Sequence, residues 1–359
     1  MANFIDQLSS QIVEKRDVLR ERYHHDELKL DERLRVVVKK HWHAAPKRHR
    51  SAQPRPAYAI DGSNRRANLS NGATLFVAQG LLIGEGLNET IADIEILPGT
   101  IESEKLDRFA DLMRQNLEIK LARDYARQIP SGSILYLDGA LYGTLAQLFP
   151  LEGVPRDFAS DILANYRDLF EQCQARGVLL VSIAKTNRQP LFSKILQTYE
   201  GIEPIQEISD SAFFDEWTDR AAGYVTPALL GQRSFSPGAK SLLLDGANLK
   251  TAPAIVSFFI RFADFEDPLR IDVPAFCIGR TERLGDLDDQ LLDCPSIAPI
   301  VNLLMDDYGG VEVYNALAYV VDREVRLSKQ KMYDIYLPMV ADMLGEEIRL
   351  DRSERRFVE

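Results

Sequence analysis

The sequence predicts an α/β fold, a mixed-sheet core with flanking helices and an N-terminal helical extension. Two patterns carry the prediction. Short apolar runs of strand length recur along the chain, several of them ending in Asp-Gly, and between them lie segments whose apolar residues return every three or four positions. The bulk numbers agree: 45% of the 359 residues are hydrophobic, which is ordinary for a chain that buries a core and excludes a collagen, a disulfide scaffold or a wholly disordered protein.

Residues 3–40 place Phe4, Leu8, Ile12, Val13, Leu19, Leu28, Leu30, Leu34 and Val37 at helical spacing among many charges, which predicts one or two surface helices. The following stretch to Pro56 is rich in Pro, His and Arg and predicts an extended connection, because each proline disfavours helix in the residue before it. A boundary is therefore expected here, with a helical extension and basic linker over 1–52 and the main domain over 53–359. AYAIDGS (57–63) reads as a strand that ends in an acid and a glycine. Residues 74–85 and 89–97 read as two more strands.

After Pro98-Gly99 the period changes. Leu106, Ala110, Met113, Leu117, Leu121 and Tyr125 define a long amphipathic helix over 102–128, stopped by Pro130 and Gly132. ILYLDGAL (134–141) is a buried strand ending in Asp-Gly, 158–176 a second helix, and VLLVSIAKT (178–186) an apolar strand with Lys185 near its end. Strands are expected again at 241–250, 255–262 and 269–279, an exposed loop at 227–238, and mostly helix from Val313 onward.

Charge and cysteine usage narrow the function classes. The net charge is −11, yet from Arg33 to Arg66 ten Lys/Arg face the single acid Asp61, a strip suited to phosphates by counterion release or, read plainly, a solvated linker. Arg65 and Arg66, beside the first Asp-Gly, are the DNA-facing candidates of that strip, with Trp42 and Tyr58 available to stack on bases or to anchor packing. His24, His25, His41, His43 and His49 form no metalloprotease motif and fall in or near the strip. The three cysteines show no C-x-x-C pair, so a reduced, cytoplasmic protein is expected. The charged N-terminal segment predicts no secretory leader, and the least charged stretch, around 252–260, is too short to span a bilayer, so no membrane is expected.

The chemistry sits in an ordered set of acids. Asp61 ends a strand, Glu118 lies on the long helix, and Asp138 ends the strand after that helix. If the two strands are neighbours, their carboxylates lie side by side and the helix adds a third. Such a cluster stays ionised only with a compensating cation, and oxygen donors of this kind suit Mg²⁺ or Mn²⁺. Metal-assisted phosphodiester hydrolysis follows as the expected reaction. Each part alone is common, since Asp-Gly usually marks a turn and Leu244-Asp245-Gly246 is a third instance. The chain order is more specific, and it is the order of an RNase H-like core.

AIDGSNRR (59–66), LMRQNLEIKLA (112–122), YLDGAL (136–141), SIAKTN (182–187) and LRIDVPAF (269–276) resemble the successive motifs of the NurA nuclease family, from about Tyr58 to the C-terminal helices. The resemblance implies an RNase H-like fold, a homodimer, Mn²⁺ (or Mg²⁺) and a HerA-like hexameric ATPase as partner. It further implies single-strand endonuclease and 5′–3′ exonuclease activity in the resection of DNA double-strand breaks. Carried over by motif, Asp61 and Asp138 match the metal-binding aspartates, Glu118 the helix carboxylate, and Lys185 a lysine able to hold a phosphate oxygen. Arg270 and Asp272 match the later strand's Arg and acid, with Asp in place of the expected Glu, and Arg270 joins Arg65, Arg66 and Lys185 as a DNA contact.

The C-terminus departs from the family pattern. No His follows His49 to complete the metal site, and Asp322, on an otherwise apolar helix, is the best substitute. Its plain alternative is an exposed acid paired with Arg326 one turn on. Two other functions stay open on sequence. One is a catalytically silent scaffold subunit of the same shape. The other is an actin- or hexokinase-like nucleotide-binding protein, disfavoured because Asn64-Arg65-Arg66 supplies no glycine-rich phosphate hairpin.

Overall fold

The computed structural model describes residues 2–24, 32–48, 55–141, 154, 158–185, 190–203, 209–231, 252–286, 288–310 and 313–355. Helices α1 (Ala2–Glu14), α2 (Arg16–His24) and α3 (Glu32–His41) open the chain and lead into the short strand β1 (Trp42–Ala44). Strands β2 (Ala57–Asn68), β3 (Thr74–Gly84) and β4 (Leu87–Leu97) form an antiparallel meander. Helix α4 (Ser103–Tyr125) crosses to β5 (Ile134–Asp138), and α5 (Phe158–Arg176) crosses to β6 (Leu179–Ala184), each new strand parallel to its neighbour. The strand order β4-β3-β2-β5-β6 with this pairing is the RNase H-like core.

The sheet continues past β6. Helices α6 (Phe192–Tyr199) and α7 (Asp210–Trp217) precede the short strands β7 (Gly223–Val225) and β8 (Ala228–Leu230), then β9 (Ile255–Arg261) and β10 (Leu269–Pro274). Among the described residues the full order is β1-β7-β9-β10-β6-β5-β2-β3-β4, with β8 on β9 and the two-residue strand β11 (Gln290–Leu291) on β8. Helices α8 (Ala298–Asp307), α9 (Ala316–Glu324) and α10 (Leu337–Leu344) follow. No helix among the described residues is long and apolar enough to cross a membrane, and the three cysteines are unbridged.

Burial explains the layers. The central strands β5, β6, β9 and β10 are buried along nearly their whole length, as apolar runs covered on both faces must be. Edge strand β4 alternates half-buried and exposed residues and carries Glu89, Asp93 and Glu95, charges that discourage pairing with another edge. On β2, even-numbered residues face α4: the Asn64 amide donates to the Ala110 carbonyl at 2.9 Å and Arg66 pairs with Asp107 at 2.6 Å. Odd-numbered residues face the opposite way, where the Leu327 N–H donates to Ser63 Oγ at 3.0 Å and Arg65 Nε donates to the Leu327 carbonyl at 2.7 Å.

Two expectations are corrected, the end of β2 and the loop from Pro227. β2 does not end at Asp61-Gly62: its antiparallel pairing with β3 runs on to Asn68, so Asp61 lies within the strand, level with the end of β5. Leu34, Val37 and Val38 of α3 belong to the main core, and β1 pairs with β7. The loop expected from Pro227 begins as the buried strand β8, while 232–238 and the expected strand at 241–250, with the third Asp-Gly, lie outside the described residues. Tyr58 is a packing anchor, 2% exposed, its hydroxyl donating to the Glu85 carbonyl at 3.0 Å. Trp42 packs on Phe214 and Arg261.

A Cβ at Gly84 would fall inside the Tyr58 ring. Gly84→Ala is expected to cost about 1–3 kcal/mol by overpacking, read as a lower urea midpoint at unchanged slope. A midpoint equal to wild type would show that the ring yields freely.

Candidate active site

The register of the parallel strands places the first two acids together. Ile60 pairs with Leu137, so the next residues, Asp61 and Asp138, stand beside each other on strands ~4.8 Å apart. Asp138 pairs with Ile183, which puts Lys185, two residues on, over the same face. Lys185 Nζ lies 3.3 Å from Asp138 Oδ1 and 3.7 Å from Asp322 Oδ1, the latter brought in by α9 packing across β2. Arg326 donates to the same Asp322 carboxylate at 2.6 Å. Asp322 thus pairs with Arg326 and also stands beside Lys185.

Glu118 arrives from the other face. Gly62 points at α4 and so does its cross-strand partner Gly80. A Cβ at Gly62 would lie 2.5 Å from Glu118 Oε1 and 2.8 Å from Arg114 Cγ. The missing side chain is what lets the helix carboxylate rest on the strand backbone next to Asp61. Arg114, one turn before Glu118, donates to its Oε1. A cavity of about 110 Å³ opens beside these groups, lined by Arg114, Glu118, Asp138, Gly139, Tyr166 and Ser182 among others.

Burial dominates the electrostatics. It pushes Asp61 (3% exposed) up to about 8, with the charges of Asp138 and Glu118 adding to the push and the Gly62 N–H and Lys185 opposing it. Burial pushes Glu118 up to about 7 against the pull of Arg114, and Asp138 adds to the rise. Asp322 is held below the ordinary carboxylate range although burial opposes it, by Arg326 and Lys185. Burial works against the charge of Lys185, but Asp138, Tyr314, Asp322 and Asp61 together hold its proton more tightly than in water.

Sequence reasoning missed Arg114 and Tyr314. The Tyr314 ring lies 5.6 Å from Lys185 Nζ, and burial pushes its hydroxyl up to about 12, so it remains a donor. Arg114 had a legible signal, opposite charge four residues from Glu118 on one helix; Tyr314 had none.

The expected DNA contacts are placed differently. Arg65 and Arg66 lie on β2 beyond Asp61 and bind the Leu327 carbonyl and Asp107 respectively. Arg270 pairs with Ala184, out of phase with Lys185, and so faces away from the Asp61–Asp138 side. It is 7% exposed and donates to Asp272 at 2.8 Å and Ser257 at 3.1 Å, a buried ion pair rather than a surface phosphate contact. His41 and His43 are also structural, His41 bridging Glu200 and Thr226 and His43 bonding Thr226. His25 and His49 lie outside the described residues.

Among the described residues, no three His, Cys, Asp or Glu side chains stand as a ready-made metal cage. Two of the acids are paired locally, Glu118 with Arg114 and Asp138 with Lys185. The donor set nevertheless fits a hard divalent cation. Carboxylate oxygens brought together by burial, with Asp61 and Glu118 pushed up toward protonation by burial and by neighbouring acids, are hard donors of the kind a divalent cation takes in place of protons.

Strand order and acid placement define an RNase H-like protein with a carboxylate cluster where β5 ends beside β2. The NurA domain family matches residues 55–308. The chain belongs to the NurA family. Its fold is shared with the NurA nuclease from Sulfolobus solfataricus, at 14% identity and TM-score 0.58 over 94% of this chain and 97% of that one. A NurA structure with manganese is similar at 14% identity and TM-score 0.58, covering 93% and 98%. One bound to dAMP and manganese is similar at 12% and 0.57, covering 97% and 99%. No curated protein matches the chain. Family membership displaces the actin-like alternative.

Proposed function

We propose that this chain is a divalent-metal-dependent deoxyribonuclease. The observation that carries the reading is the placing of Asp61 beside Asp138 on neighbouring parallel strands, with Lys185 between Asp138 and Asp322 and with Glu118 on the cavity that reaches Asp138. The four acids would hold Mn²⁺ or Mg²⁺. Such an ion supplies a bound water of lowered pKa and a positive charge against the charge that develops on the phosphoryl group.

The chain's own groups do the rest. Lys185, 37% exposed and fixed between Asp138 and Asp322, presents a point charge to a phosphate oxygen. Tyr314 keeps a hydroxyl proton beside it. Arg65 sits at the exposed part of β2, where a backbone phosphate can be neutralised. NurA structures carrying manganese and dAMP support the choice of ion and of a deoxynucleotide substrate. By family membership we extend the reading to a homodimer that works with a HerA-type hexameric ATPase in double-strand break resection, through single-strand endonuclease and 5′–3′ exonuclease activity.

The test is digestion of 5′-labelled single-stranded DNA with Mn²⁺. Cleavage is expected, is stopped by EDTA, and falls by about 10²-fold or more in Asp138→Asn. A folded wild type that stays inert with Mn²⁺ or Mg²⁺, with a HerA-type ATPase added, would leave the scaffold reading in its place.

Metal and protons compete for the same carboxylates. With Asp61 near 8 and Glu118 near 7 in the metal-free protein, Mn²⁺ affinity is expected to rise with pH between about 6 and 8.5, with protons released on binding. Calorimetry in buffers of different ionisation enthalpy measures both. An affinity flat across that range contradicts the assignment.

A further inference from the structure

Arg114 and Glu118 lie one turn apart on α4, and the Arg114 guanidinium donates to Glu118 Oε1. Both side chains lie in the space left by Gly62. Glu118 is 4% exposed, so solvent does not hold its carboxylate in place. The cations of the cluster are divided between the two faces of the sheet. Lys185 serves Asp138 and Asp322 on the α9 face, and Arg114 serves Glu118 on the α4 face. Arg114 also lines the cavity that reaches Asp138 and Gly139. A planar guanidinium fixes direction as well as charge, which an ammonium on a flexible stem does not.

We infer that Arg114 is a positioning residue: its guanidinium fixes the Glu118 carboxylate against the Gly62 backbone, turned toward Asp61 and Asp138, and so completes the metal-binding set. The inference rests on the metal-centre reading above. It predicts that Arg114 acts through Glu118 and not on DNA. Partners that orient metal ligands typically matter by about 10–100-fold in metal affinity.

The experiment uses the full chain and three variants, Arg114→Ala, Arg114→Met, which keeps the volume over Gly62, and Arg114→Lys. Mn²⁺ binding is read from the free-ion paramagnetic resonance signal, and kcat and KM are measured on a labelled single-stranded oligonucleotide. Arg114→Ala and Arg114→Met are expected to weaken Mn²⁺ binding by about 10-fold or more and to lower kcat, with KM for DNA within about two-fold of wild type. Arg114→Lys is expected to recover only part of the loss. Wild-type Mn²⁺ affinity in a folded Arg114→Met overturns the inference, as does a raised KM with unchanged Mn²⁺ binding, which would make Arg114 a DNA contact. A wild type that binds no Mn²⁺ overturns the metal-centre reading itself and this inference with it, so the two failures are distinct.

Discussion

Asp61→Asn is expected to abolish metal-dependent cleavage and, in the same protein, to raise the stability of the metal-free fold. The loss of cleavage, about 10³-fold or more, follows from removing a charged ligand at the centre of the cluster. The gain in stability follows from linkage. Asp61 is pushed up to about 8 in the fold and has an ordinary value of 3.8. Between those values the folded chain holds a proton that the unfolded chain has released, so wild-type stability falls as pH rises from about 4 to about 8. Asparagine cannot ionise. The variant should therefore match wild type below about pH 4 and exceed it most at pH 8 and above. With Lys185 and solvent offsetting part of the charge, the gap should be about 1–3 kcal/mol, or roughly 2–4 °C in Tm for each kcal/mol. Thermal scans in EDTA at pH 4 and pH 8.5 measure it. A variant less stable than wild type at pH 8.5 would mean that Asp61 is not strained by its neighbours.

Gly62→Ala should be nearly as damaging to activity for a purely steric reason. The added methyl group meets Glu118 Oε1 at 2.5 Å and Arg114 Cγ at 2.8 Å, closer than real contacts, so both side chains must move. Displacing a reacting group by about 1 Å costs on the order of 10²-fold in rate, and the overpacking costs about 1–3 kcal/mol. Gly80→Ala is the control. Its methyl group meets Ile91 Cγ2 at 3.1 Å and Leu121 Cδ2 at 3.6 Å, away from the acids, so stability should suffer and cleavage should not. Equal cleavage by wild type and Gly62→Ala would show that Glu118 need not rest on the strand.

The sequence was most legible where one period dominates. Helix α5 has the expected bounds, and α4, β3 and β4 differ from expectation by a few residues, because long stripes and alternations decide them. Asp61, Glu118 and Asp138 were legible through chain order, since two parallel strands joined by a crossing helix leave their acids at one end of the sheet. What sequence could not show was parity across strands. Arg270 looked like a partner of Lys185, but pairing with Ala184 turns it to the opposite face. The full length of β2 was hidden because Asp-Gly resembles a turn, whereas here the glycine serves the approach of α4. Trp42 and Tyr58 stood open between stacking on bases and anchoring the packing, and long-range contacts decide for packing. Asp322 was singled out because it falls on an otherwise apolar helix, while its place beside Lys185 depends on how α9 crosses β2.

In the proposed nuclease, Asp61 and Asp138 would share one divalent cation that drives hydrolysis. The measurement that tests this most directly is Mn²⁺ titration, followed by free-ion paramagnetic resonance, on wild type, Asp61→Asn and Asp138→Asn, with single-stranded DNA digestion recorded on the same samples. Wild type should bind Mn²⁺ and cut, and each substitution should lose both together. Binding and cutting that persist in either folded variant would contradict the account.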